Sequence, residues 1–469
     1  MPSDQPKLKV GLLGLTLEFY ERAGSETRQG REQFVRQRIL PALADVAHVS
    51  FDGAVFTTED IETRVADFEA AGMDVLLVVC LTYSTSLSCL PALQRTRLPI
   101  VIWNTQELYA VDDSYGPAEL TANHGVHGTF DLCNVLVRSE VTFDYLTSHL
   151  EDDGAIALLA AHLQAAAAVG RLRRMRLGLL GYAFPGMGDF GLDTTNLAAT
   201  LGCQWQALSV ADYNKRAAQA DPGKAVKLAG EYRELYDVAP EVGDNDLLDA
   251  ARAEIALREM VAENHLDAYS YQFLAFGQDD RTVTIPFVAA SRLLSEGIGF
   301  GGEGDLIAAA YSALLNWLNG PASFSEIFTT DFAGNSVLLS HMGEANTAMA
   351  RRSGKVRLLR RSRPLVPISG SQLVLAVNYE PGPATLTALT VTAGQRWRII
   401  ASPVEVLEFG PLDQLSVPHA KVRPTGDVRD FLTDYASAGG PHHLALCFGD
   451  AREKLDVLSM FLDADYVEI

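Results

Sequence analysis

The 469-residue chain sets 59 acidic against 38 basic residues, a formal net charge of −21. A field of that sign repels phosphate backbones, which excludes nucleic acid as a partner and favours a neutral small molecule or a cation. Hydrophobic residues at 48%, charged residues at 21%, 38 Gly and 20 Pro exclude a disordered or fibrous chain. No run of about 20 uninterrupted apolar residues is present, which argues against a membrane span and a membrane partner.

The length exceeds what one hydrophobic core supports, so roughly two to four domains are expected. The opening segment MPSDQPKLKV runs straight into a strand-like stretch without the apolar region of a secretory signal, so a cytoplasmic protein is expected. Cys80, Cys89, Cys133, Cys203 and Cys447 are scattered, odd in number and without a CxxC zinc pattern. They read as buried free thiols in a reducing compartment.

Residues 1–170 alternate two kinds of segment. Val10–Leu15, Val75–Cys80 and Ile100–Trp103 are short apolar runs of the kind buried in parallel sheets. Gln33–Leu40, stopped by Pro41, and Glu59–Ala71 read as helices, and the alternation predicts a doubly wound sheet. The Ala-rich stretch Ala155–Val169 is a helix. The pattern then restarts: LKVGLLGLT near residue 10 is echoed by MRLGLLGYA at Met175–Ala183. This marks a second α/β domain over residues 171–328, with helices at Lys224–Tyr236 and Leu247–Asn264 and a strand at Ala268–Phe273.

From residue 329 to 469 the character is mainly β. Gln372–Val377, Ala384–Thr392 and Trp397–Val406 alternate apolar and polar residues as antiparallel strands do, and a small barrel closed by a helix at Ala451–Leu462 is expected. The expected fold class is therefore α/β, two Rossmann-like doubly wound domains followed by a mainly β, barrel-like C-terminal domain. Neither GLLGLT nor IGFGGEGD makes a nucleotide loop: the first lacks the required glycine spacing and lysine, and in the second Glu303 and Asp305 repel phosphate.

Four residues stand out chemically, each with a structural reading beside the functional one. Glu303 lies in GGEGD, ahead of the apolar helix Leu306–Leu318; it either complements the helix dipole or holds a hard cation. Glu326, in FSEIF, is a carboxylate among apolar residues, either on the surface of a partly buried helix or paired with something. His341, after Val337–Leu339, serves equally as a satisfied core histidine. His442 and His443 are consecutive, and strand alternation allows one of them at most to face a given site.

Together these contexts resemble the L-arabinose isomerase family. The motifs GIGFGGEGD with Glu303, FSEIF with Glu326, VLLSHMGE with His341 and AGGPHH with His443 occur in the family's order and at similar separations. The resemblance implies that Glu303, Glu326, His341 and His443 bind a divalent metal, with Mn²⁺ favoured and Co²⁺ or Mg²⁺ as alternatives. It further implies that Glu303 and Glu326 act as acid and base in aldose–ketose isomerisation of an unphosphorylated sugar. By the same resemblance ANHGVHG supplies His127, and with it Tyr20, Met187 and Phe287 contact the sugar. A homotrimer or homohexamer with its active site between subunits is also implied.

Departures fall on the sugar contacts. TLEFYERAG lacks the family's glutamine, His124 stands where a second glutamine is usual, and the C-terminus is shorter. The rival readings are isomerisation of another sugar such as L-fucose or D-galactose, a metal-dependent epimerase, and a non-catalytic sugar-binding protein. The basic stretch Arg351–Arg363 pairs with an acidic neighbouring subunit or forms a solvated β-hairpin.

Overall fold

Continuous apolar runs between helices bury both faces of a sheet, and the computed structural model, which describes residues 7–22 and 24–469, shows this twice. The chain divides into two compact units, Met1–Gly170 with Asp456–Leu462, and Arg171–Leu455 with Asp463–Ile469. Residues 1–6, on which part of the reading of the N-terminal segment rests, lie outside the described residues.

In the first unit β1 (Leu8–Leu15), β2 (Ala47–Ser50), β3 (Val75–Cys80), β4 (Ile100–Asn104) and β5 (Asp144–Thr147) form a parallel sheet in the order β2-β1-β3-β4-β5. The strand order reverses between β1 and β3, so their carboxyl ends flank a crevice of the kind that holds ligands in open α/β sheets. One expectation fails here. Pro41 does not stop its helix: a π-helical segment, Val35–Ile39, leads into a last turn, Leu40–Leu43, with Pro41 in that turn's opening positions. The helix Ala155–Leu172 is long and apolar enough to cross a membrane, but 61% of it is buried within the protein, as in a core helix.

The second unit opens with β6 (Arg176–Leu180) and β7 (Gln204–Leu208). After the two-residue β8 (Asp237–Val238) come β9 (Ala268–Tyr271) and β10 (Gly299–Gly301), and the four longer strands form a parallel sheet in the order β10-β9-β6-β7. The helix Leu306–Asn319 follows β10 and packs so closely on it that only glycine fits the strand. A Cβ at Gly299 would lie 2.3 Å from the Ala309 carbonyl oxygen, and one at Gly301 would lie 2.3 Å from that of Asp305. This contact fixes where the β10–helix turn, and Glu303 within it, can stand.

The antiparallel part begins at β11 (Ala322–Asp331) and β12 (Ser336–Ser340). After β13 (Arg357–Arg360) and β14 (Leu373–Ala376) come β15 (Gly382–Val391), β16 (Trp397–Val406), β17 (His419–Pro424), β18 (His443–Phe448) and β19 (Asp465–Glu468). Six of these close a barrel in the order β15-β18-β11-β12-β17-β16, the β15–β16 pairing sealing it, and β19 lies parallel against the free stretch of β16. Closure removes the exposed edges an open sheet would leave.

Two expectations are corrected. FSEIF is not helical but the middle of β11, because the strand is held by β18 over Ala322–Glu326 and by β12 from Glu326 onward, with Ala322–Ser325 buried. Gln372–Val377 supplies β14, which joins β13 and β8 in a separate three-stranded sheet and not the barrel. In the basic stretch 351–363, β13 pairs antiparallel with β14, and Arg360, Arg357 and Arg351 have the acidic partners Asp246, Asp413 and Glu408 within the chain.

The fit of the helix Leu306–Asn319 against β10 gives a direct test. Gly299→Ala forces the helix off the strand and should lower unfolding free energy by at least the ~1–3 kcal/mol typical of overpacking, measured by urea denaturation. An unchanged midpoint would show that the close approach is not a constraint.

Candidate active site

Strand register assembles most of the site. In β11 Glu326 pairs with His443 of β18 on one side and with Ser340 of β12 on the other, and His341 follows Ser340 directly. Two candidate residues remote in sequence, Glu326 and His443, therefore sit in one cross-strand row, with His341 one residue beyond it. A bulge between Ile327 and Thr329 breaks the β11–β12 register just beyond Glu326. Such bulges re-aim side chains beside functional sites.

The fourth residue arrives from the parallel sheet. Glu303 leaves the carboxyl end of β10 with φ +60°, a left-handed conformation uncommon for a residue with a side chain. Its carbonyl is held there by the Phe184 N–H (2.8 Å) and the Gln272 side-chain amide (3.3 Å). Capping of the helix Leu306–Asn319 falls to Asp305, whose Oδ1 accepts from the Ala308 N–H at 2.9 Å. Glu303 is thus free of the dipole-capping role open to it from the sequence.

Ligand atoms of Glu303, Glu326, His442 and His443 all lie within 4.8 Å of one another. His443 Nε2 is 3.4 Å from Glu326 Oε1 and 3.7 Å from Glu303 Oε2, and His442 Nε2 is 3.6 and 3.8 Å from the same atoms. These distances exceed a good hydrogen bond. Glu303 Oε2 and the Nε2 atoms of His341, His442 and His443 are all buried without a hydrogen-bond partner. His341 stands beside this group, its ring 6.1 Å from that of His443 and its Nε2 facing the Gly302 backbone.

That both His442 and His443 reach the cluster corrects the alternation argument. His442 precedes the strand that His443 opens, so alternation does not bind it, and the two rings lie 4.0 Å apart.

Each imidazole has a carboxylate behind it. His443 Nδ1 donates to Asp305 Oδ2 at 2.9 Å, His442 Nδ1 to Asp189 Oδ2 at 2.5 Å, and His341 Nδ1 lies 2.6 Å from Glu344 Oε2. Phe190 stacks on His443, with centroids 5.3 Å apart. Burial would lower the His443 pKa, yet Asp305 and Glu326 push it up to about 10; Glu303 foremost, then Asp189, raises that of His442. Burial would raise Glu326, but the imidazoles of His443, His341 and His442 hold it below the ordinary value.

Met187 lies in the loop after β6 that also brings Asp189 and Phe190 to the cluster, and is itself partly buried. Phe287 is only 1% exposed, packed under Tyr271 and Arg361 behind His341, and offers no surface to a ligand. In the first unit the Tyr20 hydroxyl is 2.6 Å from His124 Nε2, His124 lies beside His127, and His127 stacks on Tyr83 at 4.8 Å. Tyr20 follows β1 and Tyr83 follows β3, and the histidines reach them from the start of the helix Gly125–Arg138, which packs on the carboxyl end of β3 at Cys80 and Ser84. Asp189, Asp305, Glu344 and Phe190 were missed from sequence. The His–x–x–Glu spacing of His341 and Glu344 was the one available signal.

Loops after β6, β9 and β10 and one rim of a barrel thus enclose an acid–imidazole cluster at the carboxyl end of a parallel sheet, the usual ligand-binding end of an α/β enzyme. Residues 191–320 match the L-arabinose isomerase central domain and 321–465 the L-arabinose isomerase C-terminal domain, the junction falling one residue before β11. Together the two span more than half of the chain. The chain is 28% identical to the L-arabinose isomerase of Nocardioides sp. over 87% of its length and 83% of that protein's. It is 27% identical to that of Acidothermus cellulolyticus over 81% and 77%, and 25% identical to that of Halalkalibacterium halodurans over 96% and 91%. The chain belongs to the L-arabinose isomerase family, as a divergent member, and is an enzyme of the sugar aldose–ketose isomerase class.

Proposed function

We propose that the protein interconverts an unphosphorylated aldose and its ketose, in the manner of L-arabinose and L-ribulose, with a divalent metal held by Glu303, Glu326, His341 and His443. The observation that carries this reading is the set of buried, unpartnered ligand atoms, Glu303 Oε2 and the Nε2 atoms of His442 and His443, gathered with Glu326, while the likewise unpartnered Nε2 of His341 stands beside them. Buried polar atoms without partners are rare, and such a gathering suits a cation. His442 Nε2 meets the same carboxylates and is the alternative to His443. A mixed carboxylate–imidazole set suits Mn²⁺, with Co²⁺ or Mg²⁺ as alternatives. The carboxylates behind the histidines are the outer partners that metal-ligating imidazoles ordinarily have.

When bound, the metal polarises the sugar carbonyl and stabilises the negative oxygen that develops beside it. Glu303 and Glu326 flank the reacting carbons. One carboxylate takes the C2 proton as the C2–H pair becomes the C1=C2 bond and the C1 carbonyl electrons move to O1, which takes a proton from the other carboxyl to give a cis-enediol. That second carboxylate then takes the O2 proton as the C2 carbonyl forms, and the first returns its proton to C1. Phe190, packed on His443, excludes water from that side. Tyr20 and His127 supply polar contacts to sugar hydroxyls.

Val126, Phe130 and Val137 are exposed along the helix Gly125–Arg138. An exposed apolar stripe of this kind suits a neighbouring subunit, and we read the enzyme as a cytoplasmic homotrimer or homohexamer in which a second subunit completes the sugar site.

Glu303→Gln and Glu326→Gln should each lower turnover by ~10²–10⁴-fold or more while circular dichroism stays unchanged; near-native rates in either would remove that residue from the acid–base pair. His443→Ala should lose Mn²⁺ by elemental analysis, and full retention would transfer its role to His442. His124 stands where the family carries glutamine and is engaged by Tyr20, so L-arabinose should be a modest substrate in a panel of pentoses and hexoses scored for ketose. A clear preference for L-arabinose would show that this change does not alter specificity.

A further inference from the structure

Tyr271 is 1% exposed at the end of β9, and its hydroxyl donates to Glu344 Oε1. The other oxygen, Oε2, is 2.6 Å from His341 Nδ1, while His341 Nε2 is buried and unpartnered beside the cluster. Nothing in the acid–base chemistry uses Tyr271 or Glu344. Both are buried in the second unit, Glu344 at 2% exposure, where an idle carboxylate is costly.

We propose that Tyr271 and Glu344 are positioning residues that lock His341 in the tautomer with the proton on Nδ1, so that the Nε2 lone pair is always presented to the metal. The proposal rests on the metal-dependent reading above. The tyrosine hydroxyl has one proton and directs it at Oε1, where Glu344 accepts. The Arg361 guanidinium donates to the Met342 carbonyl oxygen in the same turn. An acceptor at Oε2 requires the proton on His341 Nδ1, which leaves Nε2 bare. Gly343 tightens the turn between His341 and Glu344, since a Cβ there would lie 2.7 Å from the Phe287 ring.

The chain Tyr271–Glu344–His341 makes an unusual demand on substitutions. In Glu344→Gln the tyrosine proton still requires an oxygen at the first position, so the amide NH₂ is turned toward His341 Nδ1. That donor forces the imidazole proton onto Nε2, the ligand atom. Tyr271→Phe in the same background removes the requirement, and the amide can rotate to offer its oxygen to Nδ1–H.

Two measurements test this. In the metal-free protein, long-range ¹H–¹⁵N correlation spectra of ¹⁵N-histidine-labelled enzyme, assigned with His341→Gln, should show Nδ1–H at His341 in the wild type and Nε2–H in Glu344→Gln. In Mn²⁺ titrations Glu344→Gln should bind ~10–100-fold more weakly than wild type, the usual cost of losing an outer partner. Tyr271→Phe/Glu344→Gln should recover about tenfold of that loss, whereas a purely structural role for Tyr271 makes the double variant weaker still. An Nε2–H tautomer in the wild type, or a double variant binding no more tightly than Glu344→Gln, would overturn the proposal. Absence of Mn²⁺ binding by the wild type would instead remove the metal reading, and the metal-free spectra would still decide the tautomer.

Discussion

Everything at the candidate site follows from placing carboxylates in a buried space and giving them imidazoles as neighbours. A buried carboxylate is tolerated only when charge and hydrogen bonds compensate it. Asp305 meets the condition twice, capping a helix with one oxygen and holding His443 with the other. Glu303 does not, its Oε2 being buried without a hydrogen-bond partner. Glu303 and Glu326 face imidazole nitrogens at 3.4–3.8 Å, too far for good hydrogen bonds and close enough for their charges to act on one another. Asp305 and Glu326 push His443 up to about 10 against its burial. On the reading proposed above, a cation among these atoms would supply the partner that Glu303 Oε2 and the imidazole Nε2 atoms lack.

The backbone that holds this arrangement is rigid for reasons unrelated to chemistry. Glu326 cannot slip relative to His443 without moving every residue of β11 to the wrong face, because Ala322 and Phe324 are fully packed in the core. Glu303 cannot drift because Gly299 and Gly301 seat the helix Leu306–Asn319 directly on β10. Its left-handed φ is the local cost of turning the chain between these two packed elements, and the bonds to its carbonyl from Phe184 and Gln272 offset that cost. The site is therefore the meeting of a sheet end and a barrel rim, each stabilised by its own apolar core.

Much of this was legible in the sequence, and the reasons differ by element. Val75–Cys80 reads as a buried strand because six apolar residues in a row fit no other short element, and it is one. Residues Trp397–Val406 alternate as a barrel strand should, and the strand has those limits. FSEIF misled because a glutamate among apolar residues is equally compatible with a helix; only pairing with β12 and β18, remote in sequence, decides for a strand. His442 misled because alternation holds inside a strand and it lies one residue outside. Asp189 and Asp305 left no trace, since a short acidic residue beside glycines looks like any turn. The motif order nonetheless carried Glu303, Glu326 and His443 to one place, a result no single spacing could give.

The same contrast explains why the reaction class is better determined than the sugar. The candidate ligands are borne by, or closely tied to, elements whose register the core enforces, so divergence to 25–28% identity leaves them in place. The candidate sugar contacts of the first unit, Tyr20, His124 and His127, stand on short segments after β1 and at the start of a helix, where a changed side chain disturbs no packed layer. The Nε2 of His124 is engaged by Tyr20. On the reading proposed above, a changed side chain in this segment would alter which hydroxyl pattern is bound without disturbing the packed elements that bear Glu303, Glu326 and His443.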